Sequence, residues 1–191
     1  MLENVMKRQN EALKAKIGYK TVVSAALIAL AVALPQLVHA ALGQSGGVQF
    51  LPMYLPVLLG GCLLGWKWAL TVGILSPLVS FALTTLAGNP MPAAARLPFM
   101  MFELAVFALV SGLFSGLIYK NGLWAFPAVI AAQITGRAAF LGAIAIFQRV
   151  APFTPKMIWG QIVSGIPGLL IQAVAVPLIV IALRAVLLRK K

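Results

Sequence analysis

Acidic residues are almost missing from this chain: three carboxylates, one histidine and one cysteine stand among 191 residues. That inventory holds no HExxH zinc motif, no pair of intramembrane aspartates and no evident Ser/His couple for nucleophilic work. The sequence therefore reads as a non-enzyme, with no catalytic residue, metal site or cofactor assigned. Cys62, the lone cysteine, lies in an apolar run and cannot build a disulfide framework, so its expected role is packing. A GxxxxGK[ST] phosphate loop is also missing. Any ATP-driven work would have to come from a partner. Charged residues of both signs together make up only 9%, against about 25% in an ordinary soluble domain.

What is abundant is apolar surface. Hydrophobic residues account for 62% of the chain, and the mean hydropathy is +1.01. A bilayer crossing takes about 20 residues, and the apolar runs fall at residues 21–38, 50–65, 69–86, 99–119, 123–147 and 157–188. The expectation is an all-α integral membrane protein, a bundle of six transmembrane helices in one domain spanning 21–188. Pro52 and Pro56 disturb the start of the second run, Pro77 is expected to kink the third, and Pro167 and Pro177 to bend the sixth. Residues 1–20 form a basic segment too long and too polar for a signal peptide, and 189–191 a short basic tail.

The net charge of +12 would suggest nucleic acid in a soluble protein. Here the basic residues sit at the ends of apolar runs, which is an orientation signal instead. Eleven of the 15 Lys and Arg fall on one side of the six-helix topology, three on the other, and Arg137 within the membrane. The positive-inside rule then puts both termini in the cytoplasm. The longer, irregular connections 40–49, 87–98 and 148–156 gather on the opposite, outer face, while the cytoplasmic turns, such as Trp66-Lys67-Trp68, are short. This gives a cup that opens outward.

Glu103 is the one acid within the apolar runs, and a carboxylate in hydrocarbon is costly enough that it faces a cavity or a partner. It lies roughly 7 Å below the outer end of its helix, and Arg137 roughly 15 Å below its own, at about 1.5 Å per residue. Both positions are in the outer half. They read either as a structural ion pair or as the lining of a polar pocket. In the pocket reading Arg137 and Arg96 bind a carboxylate or phosphate through their planar forks, with Asn89, Tyr54 and Gln133 as further candidates. His39 reads as an interfacial residue. Ala25, Ala29 and Ala33 recur every four residues, making a smooth stripe where another helix can approach closely. The glycine pairs Gly61/Gly65 and Gly112/Gly116 read as packing within the bundle.

Taken in order, these features resemble the substrate-binding membrane subunits, or S components, of energy-coupling factor (ECF) vitamin transporters. The resemblance rests on the alanine stripe, on 55–61 (Leu-Pro-Val-Leu-Leu-Gly-Gly) followed by Leu64-Gly65-Trp66-Lys67-Trp68, on 72–78 (Val-Gly-Ile-Leu-Ser-Pro-Leu), on Phe102-Glu103-Leu104-Ala105 with Ser111-Gly112-Leu113, and on Gly136-Arg137. It implies a multi-pass protein of the bacterial cytoplasmic membrane that captures a vitamin or precursor from outside. It further implies two cytoplasmic ATPases acting through a transmembrane coupling protein, with Ala25, Ala29 and Ala33 facing that protein. The outer loops and the last three helices would enclose the vitamin, and the whole subunit would topple in the membrane to deliver it. One departure concerns the pocket: Met53-Tyr54-Leu55 stands where many relatives carry a histidine and a small apolar residue. With Arg96 and Arg137 at hand, the preferred ligand is a carboxylate-bearing vitamin such as pantothenate. The alternatives are a self-sufficient secondary transporter or channel for a small solute, and a membrane scaffold without a ligand.

Overall fold

The computed structural model describes residues 2–147 and 154–189, and every regular element in them is helical. Six helical stretches are long and apolar enough to cross a bilayer: Lys14–Gly43, Ser45–Leu64, Trp66–Leu86, Ala94–Leu113, Gly122–Phe147 and Ile166–Val186. They coincide with the six apolar runs of the sequence, and the chain is a multi-pass membrane protein. Large apolar side chains such as Val22, Leu86 and Ile146 stand exposed on the outside of the bundle, as a surface solvated by lipid requires.

The first helix, α1, runs over Leu2–Phe50. At about 1.5 Å per residue its part before the kink at Gly43, residues 2–42, is roughly 62 Å long, about twice the ~30 Å hydrocarbon core. The basic segment 1–20 is therefore not a separate arm from residue 2 onward but the continuation of a membrane helix. The expected loop at 40–49 is helical as well, broken only at Gly43, whose φ of 68° and ψ of −170° interrupt the helix. Backbone at membrane depth must satisfy its own N–H and C=O groups, so this polar stretch stays helical and bends at a glycine, which takes a positive φ without strain.

Leu51-Pro52-Met53 separates α1 from α2 (Tyr54–Leu64), with Leu51 at a positive φ of 48°. Gly65, at φ 83°, makes the tight corner into α3 (Trp66–Leu86). That helix runs through Pro77 unbroken. After a turn at Ala94–Arg96 come α4 (Leu97–Leu113), the short α5 (Ser115–Lys120), a turn at Gly122–Trp124 and α6 (Ala125–Phe147). The fourth run, expected to be one helix over 99–119, thus divides at Phe114. The sixth divides too, into α7 (Pro155–Ser164) and α8 (Ile166–Arg189). The break falls at Gly165, two residues before Pro167. That proline opens α8 in its first turn, where its missing N–H costs nothing. Pro177 lies inside α8 without ending it.

α4 is the hub of the bundle, packed against α2, α3 and α6. Close approach depends on glycine. Gly73 of α3 lies against the Leu104 carbonyl of α4, Gly61 of α2 against Ser111, Gly112 of α4 against the Trp66 backbone, and Gly136 of α6 against the Phe107 ring. One glycine of each pair serves internal packing, since Gly61 and Gly112 belong to the same contact between α2, α3 and α4, whereas Gly65 makes a corner and Gly116 has nothing within 4 Å of a built methyl group. Val57, Leu58, Val72, Leu104, Phe107 and Val129 fill the space between these helices.

The two ends of the bundle differ. At one end Lys20 Nζ donates to Leu64 O at 2.8 Å, Arg184 donates to the carbonyls of Tyr119 and Lys120, and Lys67 lies over the Trp66 ring. At the other end the break between α1 and α2 meets the break between α7 and α8, with Gly165 against the Leu51 side chain. Gln172 of α8 donates through Nε2 to Phe50 O at 2.9 Å and Leu51 O at 3.0 Å, while Gly168 sits against the backbone of Gln49 and Phe50. The connection 148–156 lies largely outside the described residues, and with it Arg149.

Candidate functional site

A cavity of about 370 Å³ opens at the end of the bundle opposite the basic residues. This is within the ~300–1,000 Å³ usual for small-molecule sites, at the small end. Its walls come from the kinked end of α1, the α1–α2 break, the loop 87–96 and the facing sides of α4, α6 and α7. Much of the lining is apolar and adaptable: Val48 and Leu51, the thioethers of Met53, Met91 and Met100, and four prolines. Polar side chains are few, as specific small-molecule sites require.

The deepest of them form one cluster. Glu103 on α4 is 1% exposed and Arg137 on α6 is 6% exposed, with Nη1 of the arginine 2.9 Å from Oε1 of the glutamate. The charges touch, yet that contact lacks the alignment of a hydrogen bond, and Oε1 has no other partner. Tyr54 on α2 donates its hydroxyl to Glu103 Oε2 at 2.8 Å, its ring lying 4.8 Å from the guanidinium. Phe107 meets that ring edge-on at 5.0 Å. Three helices are thereby fixed around one buried charge pair. Arg137 and Tyr54 reach the cavity wall; Glu103 stands behind them and does not. Arg137 Nε and Nη2 have no partner in the protein.

Arg96 and Asn89 also line the cavity. Arg96 donates to the side-chain carbonyl of Gln161 on α7, its guanidinium carbon is 5.9 Å from the Phe140 ring centre, and its Nε is buried without a partner. Gln133, the remaining sequence candidate, is placed elsewhere. It donates to Leu169 O at 3.0 Å and ties α6 to α8 away from the cavity wall. The structure thus brings five of the six candidates into one region and assigns the sixth to packing.

Two residues outside the six candidates are also on the wall, His39, read from the sequence as interfacial, and Gln161. His39 Nδ1 meets Pro35 O at 2.6 Å; since a carbonyl only accepts, that nitrogen is the donor. The ring lies against Gly47, where a methyl group would collide with it. Gln161 is the other. An amide inside an apolar run, like Gln133 and Gln172, was itself the available signal.

The loop wall is held from behind by α3. Met91 N donates to Thr84 Oγ1 at 2.8 Å, and Ser80 Oγ donates to Met91 O at 3.0 Å. Thr84 is buried, so Thr84→Val should leave the Met91 N–H without a partner, at a cost of about 1–3 kcal/mol. The expected result is a lower melting temperature together with faster amide exchange across residues 88–93. Unchanged exchange there would mean that the loop is held by something else.

Comparison with protein-family models, with curated proteins and with solved structures finds no match. The site is read from its own chemistry.

Proposed function

We propose that this chain is the substrate-capturing S component of an energy-coupling factor importer for a vitamin or vitamin precursor. In this reading a transmembrane coupling protein and two cytoplasmic ATPases supply the energy. The observation that carries the proposal is the cavity at one end of the bundle, opposite the end where Lys20, Lys67, Lys120 and Arg184 cluster. With the basic end in the cytoplasm, as the positive-inside rule asks, both termini are cytoplasmic and the cavity opens to the outside. Below it Val57, Leu58, Leu104 and Phe107 are fully buried, a layer suited to capture rather than free passage. A self-sufficient carrier coupled to ions fits less well, because Glu103 is the one acid in the spans and it is already paired.

The partner surface is the alanine stripe. Ala25, Ala29 and Ala33 are exposed, and with Val79 and Leu83 of α3 they line a second, almost wholly apolar groove of about 450 Å³ on the flank of the bundle. Small residues let a partner helix come close enough for van der Waals packing, which drives helix association where lipid is as apolar as protein. Coexpression with an ECF coupling protein and its ATPases tests the reading. The native chain is expected to co-purify with them and to support ATP-dependent uptake in vesicles. Ala29→Trp, with its side chain outside the fold, should cut co-purification at least tenfold while leaving the melting temperature unchanged. Full assembly and uptake by that variant would refute the assignment of the groove.

A further inference from the structure

We infer that the captured molecule is a monocarboxylate with a largely apolar body, its carboxylate held by Arg137 and Arg96. This rests on the capture reading and names its substrate class. The charge that meets a ligand is set by which members of the buried cluster reach the cavity. Arg137 and Arg96 line it and Glu103 does not. The glutamate is engaged from behind by Tyr54 and by Arg137 Nη1, leaving Arg137 Nε and Nη2 and Arg96 Nε without protein partners. Buried donors of this kind are costly to leave unmade, and a guanidinium edge matches a carboxylate in geometry.

Charge balance narrows the choice further. Two guanidinium groups and one carboxylate leave the site one positive charge in excess. A single carboxylate brings it to neutrality, whereas a phosphate monoester, at about −1.5 to −2 near pH 7, would leave a buried negative excess. The remaining wall, made of thioethers, prolines, Val48 and Leu51, offers an adaptable apolar surface to the rest of the molecule.

The test uses the purified full chain in nanodiscs and a panel of water-soluble vitamins and precursors in matched pairs. Pantothenate is set against pantothenol, nicotinate against nicotinamide, biotin against biotinamide, and pyridoxal 5′-phosphate against pyridoxal. Ligand-induced thermal stabilisation and calorimetric titration are read for each. At least one carboxylate should bind ten or more times tighter than its neutral partner, and Arg96→Gln should shrink that ratio to threefold or less. A tighter neutral member, a preference for the phosphate, a ratio untouched by Arg96→Gln, or no binding by any carboxylate overturns the inference. The import reading stands or falls separately on the coexpression and uptake assay, so the two failures are distinguishable.

Discussion

Glu103→Ala should destabilise the bundle by about 3–5 kcal/mol, the usual cost of removing one partner from a buried ion pair. The loss is large because Arg137 is 6% exposed and no other acid lies within the spans to replace the missing carboxylate. Tyr54 would lose its acceptor in the same step, so the join between α2, α4 and α6 fails at two points. The measurement is resistance to unfolding in mixed micelles, beside the yield of monodisperse protein. The double variant Glu103→Gln with Arg137→Gln removes both charges while keeping side chains that can hydrogen-bond. It should recover more than half of the lost stability and still fail to bind any carboxylate of the panel. Native stability in Glu103→Ala would show that the pair contributes nothing to the fold.

The second large effect is steric. A methyl group built at Gly73 would lie 2.6 Å from the Leu104 carbonyl oxygen and 3.0 Å from its carbon. Backbone cannot rotate out of the way as a side chain can, so α3 and α4 must separate. Gly73→Ala is expected near the upper end of the ~1–3 kcal/mol typical of overpacking. Gly142 on α6 is the control, since nothing lies within 4 Å of its built methyl group. Gly142→Ala should be neutral or stabilise by about 0.5–1 kcal/mol, through lost chain entropy alone. Melting the two variants side by side decides the matter, and equal behaviour would rule out the tight α3–α4 contact.

These expectations depend on different kinds of information in the chain. The six spans were legible because a run of some 20 apolar residues has one physical reading, and the Glu103–Arg137 meeting because isolated charges in hydrocarbon seek each other. Breaks were harder. Pro77, Pro167 and Pro177 were natural suspects, yet the chain breaks at Gly43, Phe114 and Gly165. Only Gly43, at φ 68°, uses the freedom special to glycine; Phe114 and Gly165 keep right-handed φ/ψ, so nothing in the residue itself marks those two breaks. The polar stretch after residue 40 looked like a loop by composition. Its helical form follows from where it sits, at a depth that no local property records. The division of labour around Arg137 was likewise invisible. That Glu103 lies behind the cavity and Gln133 beside it depends on helix rotation, which a nearly uniform apolar sequence specifies only weakly.

The contact of Gln172 with the carbonyls of Phe50 and Leu51 spans 122 and 121 residues of chain, which gives it a meaning during biosynthesis. At roughly 5–20 residues per second, on the order of 6–24 s pass between emergence of the acceptors and arrival of their donor. Leu51 O has a local donor as well, Tyr54 N at 3.1 Å, but Phe50 O, at a broken helix end, waits through that interval for Gln172, and a carbonyl left bare in lipid costs several kcal/mol. Water, the insertion machinery or a temporary neighbour must shelter it until α8 threads in. The brace behind Leu51 on the cavity wall is thus among the last contacts of the molecule to form, and a nascent chain stopped short of α8 lacks it.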